Sequence, residues 1–243
     1  MISRRSENPR RRVNVRGKRI ISRLPLHEQV AEQIRRMIVK GKLAPGEKIH
    51  VTDLAKDMDV SLTPMREALK VLAKENLVEL MTNRGARVSD ITVEGTRSLF
   101  EVISRLEALA AELAAMRITD DELDELEELH ASMRQRHEAS ELAEYFELNR
   151  RIHDLVVDAA KNPDLSRLRT SLSFQVERAR FLSVATPGHR DRSMADHERL
   201  MEALRLRDAQ AARDVWQLHL ERAGEETCRL VAHWREGEKT AAE

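Results

Sequence analysis

Val60-Ser61-Leu62-Thr63-Pro64-Met65-Arg66-Glu67-Ala68-Leu69 reads as the opening of a helix with one face for a core and another for a ligand. Pro64 suits a first turn, where its missing N–H is not needed. Met65, Ala68, Leu69 and Leu72 recur at helical spacing and form the apolar face. Ser61 and Thr63 at the helix start can cap it or bond phosphate, and Arg66 can form a bidentate pair with guanine.

Upstream, Val30, Ile34, Met37 and Ile38 mark a helix over residues 26–40 that Gly41 stops. Leu43-Ala44-Pro45-Gly46 is a turn, after which Thr52 can cap a short helix through Met58. Downstream, Leu77, Val78 and Leu80 precede Asn83-Arg84-Gly85, and Ala86 and Val88 follow it, which reads as two short strands around a turn. Helix, helix-turn-helix and hairpin in that order make a winged helix-turn-helix, whose recognition helix enters the major groove of DNA.

Beyond Asp90 no strand signal appears. Amphipathic stretches at 92–117, 120–139, 141–160, 164–184, 193–207 and 208–234 predict six helices, with separators short enough for antiparallel neighbours. The expected fold class is mainly α: a winged helix-turn-helix with a small β-hairpin wing, then an antiparallel all-α bundle. The expected boundaries are a disordered basic arm at 1–23, the DNA-binding domain at 24–90, the helical domain at 91–236 and a tail at 237–243.

Hydrophobic residues make up 41% and charged residues 35% of the 243, with few prolines and glycines, a balance that favours soluble helices. The formal net charge is zero, yet Arg4, Arg5, Arg10, Arg11, Arg12, Arg16, Lys18, Arg19 and Arg23 face only Glu7 before Leu24. The positive end can approach phosphate while the rest, acidic on balance, does not. Cys228 is the single cysteine and cannot form an intrachain disulfide. No apolar run approaches the roughly 18 residues of a membrane span, so the expectation is a cytoplasmic protein without a membrane partner.

Leu43 to Lys48, Asp53-Leu54-Ala55, the Val60 to Leu69 block and Asn83-Arg84-Gly85-Ala86-Arg87-Val88 occur together in order, and together resemble a GntR-family DNA-binding domain over residues 26–88. The resemblance implies DNA contacts from Thr52, Ser61, Thr63, Arg66, and Arg84 and Gly85 at the wing tip. Leu62 stands where the family commonly has arginine, and Thr52 where some members have another, so operator preference does not carry over.

In the helical half, Asn149 and His153 lie four apart and share a helix face, where both can ligate one ion. His197 and His219 lie on two later helices. Asn149 to His153, Asn162-Pro163, Asp196-His197 and His219 resemble, in order and approximate spacing, the FadR C-terminal-domain (FCD) group, and six helices resemble its VanR-type subgroup. The resemblance implies a divalent metal on Asn149, His153, His197 and His219, with Asn149 where other members have Asp. Zinc suits three imidazoles first, with nickel or manganese as alternatives. It also implies a small carboxylate effector, with Arg105 on the first bundle helix as its cation. His130, His137, His189 and His233 match nothing and read as surface residues.

The function implied is a DNA-binding transcriptional regulator, a homodimer on a palindromic operator, whose affinity a small organic acid controls at the metal site. An alternative makes the ion itself the signal. A remote alternative makes the bundle a metal-dependent hydrolase, against which stands the lack of a His-Glu-x-x-His run.

Overall fold

A computed structural model describes residues 24–81, 85–184 and 186–242. Helix α1 (Leu26–Val39) buries Val30, Ala31, Ile34 and Ile38. It closes with a Schellman motif: Gly41 takes φ +69° while its N–H donates to Ile38 O, and Lys42 N donates to Met37 O at 2.8 Å. Strand β1 (Lys48–Ile49) leads into α2 (Val51–Asp57) and then α3 (Leu62–Lys74). α3 ends the same way, with Asn76 at φ +56° and Leu77 N bonded to Leu72 O, so Leu77 and Leu72 meet in the core.

β2 (Val78–Met81) and β3 (Gly85–Val88) form the expected hairpin, and β1 adds to it in the order β1-β3-β2, all antiparallel. Sequence reading missed β1 because two residues with one buried side chain carry no periodicity. Thr52 is not the cap of α2. The cap position belongs to His50, and Thr52 stands inside the helix, exposed.

Among the described residues six further helices follow: α4 (Val93–Arg117), α5 (Asp120–Glu138), α6 (Leu142–Ala159), α7 (Pro163–Val184), α8 (Pro187–Arg205) and α9 (Ala209–Ala242). Thr92 caps α4 by accepting from Gly95 N, and Thr119 with Glu122 forms a capping box on α5. Two ends depart from expectation. α8 starts at Pro187 rather than near 193, since proline at a first helical position needs no N–H partner. α9 continues through 237–242, the expected tail, because a lone Gly237 is too weak a breaker to end a helix already under way.

Two hydrophobic cores result, one within residues 30–88 and one built from α4 to α9. α4 and α9 pack closely through Ala110, Ala111, Ala114 and Ala115 on one side and Ala212, Trp216, Leu220 and Ala223 on the other. The two halves meet where the Arg35 guanidinium lies 4.0 Å from the Phe174 ring centroid. Arg178 also donates to Ser89 O at 2.8 Å and Arg235 to Ile91 O at 3.1 Å.

Candidate nucleic-acid interface and metal centre

The apolar side of α3 is fixed in the first core by Met65, Ala68, Leu69 and Leu72, which turns Leu62, Thr63, Arg66 and Lys70 outward. Leu62, Arg66 and Lys70 border a cleft of about 750 Å³, with His50 and Thr52 on α2 and Leu80 and Gly85 on the hairpin around it. Ser61 is the N-cap residue of α3, but its hydroxyl makes no capping bond and stays exposed, available to phosphate, as does exposed Thr63. Arg66 has no ion pair among the described residues. Gly85 takes φ +88° at the start of β3, a conformation that favours glycine, and its N-terminal neighbour Arg84 lies outside the described residues, as does the basic arm 1–23.

In the second core, α6 contributes Asn149 and His153, α8 His197 and α9 His219. One ring nitrogen from each histidine lies within 4.8 Å of the others, so a single ion could draw on all three. His153, His197 and His219 are 0%, 0% and 4% exposed, and Trp216 sits among their rings at centroid distances of 4.4, 4.9 and 4.6 Å. Burial, reinforced by Arg180, pushes His153 well below its ordinary pKa, and burial with His219 beside it does the same to His197. Burial also lowers His219, against the opposing pull of Asp196. The direction is the same for all three and favours the neutral imidazole, the form that ligates metal.

One carboxylate orients a ring and a second lies beside another. Glu107 on α4 bonds His153 Nδ1, leaving Nε2 without a protein partner, and Asp196 lies 3.8 Å from His219 Nδ1. Burial alone would raise Glu107, but Arg180, then His153 and Arg169, outweigh it and hold the carboxyl well below the usual range. Asn149 Oδ1, His153 Nε2 and both ring nitrogens of His197 are buried without a hydrogen-bond partner. Each such atom costs about 1–3 kcal/mol when unsatisfied, and a cation that took the lone pair of His153 Nε2 and one of His197 would relieve part of that cost.

Two family matches divide this chain as its two cores do: bacterial regulatory proteins of the gntR family over residues 26–88, and the FCD domain over residues 98–222. The chain belongs to the GntR family, with an FCD domain. It is therefore a DNA-binding transcriptional regulator and not an enzyme, and the hydrolase alternative falls. The HTH-type transcriptional regulator YdhC of Bacillus subtilis is 29% identical over 78% of this chain and 85% of its own length. The Nta operon transcriptional regulator of Aminobacter aminovorans is 30% identical over 60% and 69%. The HTH-type transcriptional repressor RspR of Escherichia coli is 27% identical over 83% and 88%. Among solved structures, E. coli McbR/YncC shares the fold at TM-score 0.72 and 21% identity, covering 82% of this chain and 95% of that one.

The structure gathers His153, His197 and His219, with Asn149 one helical turn before His153. Arg105 it does not gather. That side chain is 63% exposed, pairs with Glu221 at 3.1 Å, and borders an outer α4/α9 groove with Arg97 and Arg229. Two helix positions turn about 200°, so with Glu107 facing the histidines Arg105 must face away. The cations at the histidine cluster are Arg180 and Arg169 on α7, which bond Glu107 at 3.0 and 3.3 Å. Their eleven-residue spacing, three turns of one helix, could have flagged them. His130 and His189 are buried rather than on the surface, at 4% and 6% exposure, and His130 stacks on His197. Among the described residues no helix is long and apolar enough to cross a membrane.

Proposed function

We propose that this regulator binds a palindromic operator as a homodimer, and that a small carboxylate effector sets its affinity at a divalent metal ion held by Asn149, His153, His197 and His219. The convergence of one ring nitrogen each from buried His153, His197 and His219 within 4.8 Å carries the reading, and the buried, partnerless Asn149 Oδ1 one turn before His153 supports it. When bound, the ion supplies a Lewis-acid charge to which a carboxylate can attach. Neutral imidazole donors favour zinc, with nickel or manganese as alternatives. In this reading Arg180 and Arg169, rather than Arg105, supply the positive charge nearest the histidines, where both also bond Glu107. That RspR is a repressor supports repression as the sign of control.

The test is metal content per subunit by mass spectrometry, after purification without chelator or nickel resin, for wild type and for His153→Ala with His197→Ala. The expected result is near-stoichiometric metal in wild type and none in the variant, with both showing helical circular dichroism. Absence of metal after reconstitution with zinc, nickel and manganese would sink the site. With metal-loaded protein, operator affinity that follows an organic acid at constant metal supports effector control. Affinity that follows free metal alone makes the ion the signal.

A further inference from the structure

Leu62 is a large apolar residue only partly covered by the described residues. It opens α3, is 40% exposed, and lies outside the apolar cluster that Met65, Ala68, Leu69 and Leu72 join one face away. Its neighbours along the same ridge, at intervals of four residues, are the polar Arg66 and Lys70, and all three border the cleft between α2, α3 and the hairpin. The exposed part of this apolar side chain, at the mouth of a charged cleft, gains further burial when a partner arrives.

Resting on the reading of α3 as the recognition helix, the chemistry of that partner is narrow. The N-terminal part of such a helix meets base edges in the major groove. Of the four bases only thymine presents an apolar group there, its C5 methyl, whereas guanine offers the N7 and O6 pair that suits a guanidinium. Four residues of helix rise about 6 Å, so the two side chains reach bases one or two pairs apart. We infer that Leu62 is a specificity-determining residue that packs on a thymine methyl in each operator half-site, beside a guanine read by Arg66. Lys70, two turns beyond Leu62, stays on this face, paired with Glu67 at 2.8 Å.

The test uses the full-length protein. A preferred duplex is selected from a randomised pool, and each thymine of a half-site is then replaced singly by deoxyuridine, which removes only the methyl. Dissociation constants are measured by fluorescence anisotropy at fixed salt for wild type, Leu62→Ala and Arg66→Ala, with thermal melts confirming that the surface variants remain folded. The expected result is one thymine per half-site whose methyl is worth about fourfold in affinity, the gain from burying one methyl group. Leu62→Ala should be indifferent to that methyl, while Arg66→Ala keeps the thymine preference and relaxes the neighbouring guanine. A selected operator at which no deoxyuridine weakens wild type, or a penalty that persists in Leu62→Ala, overturns the role of Leu62 and leaves α3 as the recognition helix. Selection of no sequence at all overturns that reading of α3, and the inference with it.

Discussion

At the scale of residues, Trp216 gives the histidine cluster its own reporter. Its ring lies within 5 Å of all three imidazole centroids, and the only other tryptophan, Trp234, is 37% exposed on the distal part of α9. In Trp234→Phe, titration with nickel should quench the remaining emission with a one-site isotherm, and His197→Ala should abolish the quenching. An unchanged Trp216 signal at saturating metal would place the ion elsewhere. Removing metal should also cost stability, because an ion bound only by the folded state adds about 2.7 kcal/mol at a hundredfold excess over Kd. At roughly 2–4 °C per kcal/mol for a chain of this size, chelation should lower the melting temperature by about 5–10 °C in wild type and leave the double histidine variant unmoved. Gly224 makes a different point about the α4/α9 seam, since a Cβ there would stand 2.6 Å from the Phe100 ring. Gly224→Ala improves helix propensity by about 1 kcal/mol but overpacks by roughly 1–3, so calorimetry should show a net loss.

At the scale of elements, α7 touches both functional regions. Arg169 and Arg180 lie on the face toward Glu107 and the histidines, while Phe174 and Arg178, turned to another face, hold α1 and the Ser89 carbonyl. Asp154 extends the same network, bonding Arg169 at 2.6 Å and Arg150 at 2.7 Å. A change in charge beside Glu107 therefore bears on the helix that positions the reading head, and a ligand shifts the equilibrium only through such differential contacts. Coupling between sites is typically worth about 1–3 kcal/mol. Phe174→Ala should keep full metal content, yet shrink the change in operator affinity between metal-free and metal-loaded protein at least threefold. If the full change survives, coupling does not run through the Phe174 contact.

At the scale of the whole molecule, the outer face of α4 carries Val102, Leu109 and Met116, seven residues apart and 51%, 41% and 54% exposed, with Leu218 of α9 also exposed. Arg105 paired to Glu221 and Glu112 facing Arg213 at 4.0 Å border this stripe with satisfied charge. A seven-residue apolar repeat on a helix whose opposite face is already buried suits a second copy of the same helix across a two-fold axis. Leu109→Glu should run as a monomer in light scattering at concentrations where wild type is a dimer, and bind its operator at least tenfold more weakly because two half-sites are no longer engaged together. A dimeric Leu109→Glu would assign the interface to another surface.

The amino-acid sequence alone determined the order of the helices and the hairpin, because that information is local: the apolar spacing of α1 and α3, the Gly41 stop, the turn around Gly85 and six amphipathic periods after Asp90. It also carried the resemblance that named Asn149, His153, His197 and His219. What it could not carry was any direction fixed by packing. β1 exists only through its pairing with β3. Arg105 and Glu107 are two residues apart in the chain, and only the burial of one face of α4 decides which meets the histidines. Arg169, Arg180 and Trp216 join the site from helices whose convergence depends on tertiary contacts, and His130 and His189 are buried for the same reason. Periodicity specifies that a helix has an inside and an outside, but the neighbour that fills the inside is set by the folded core.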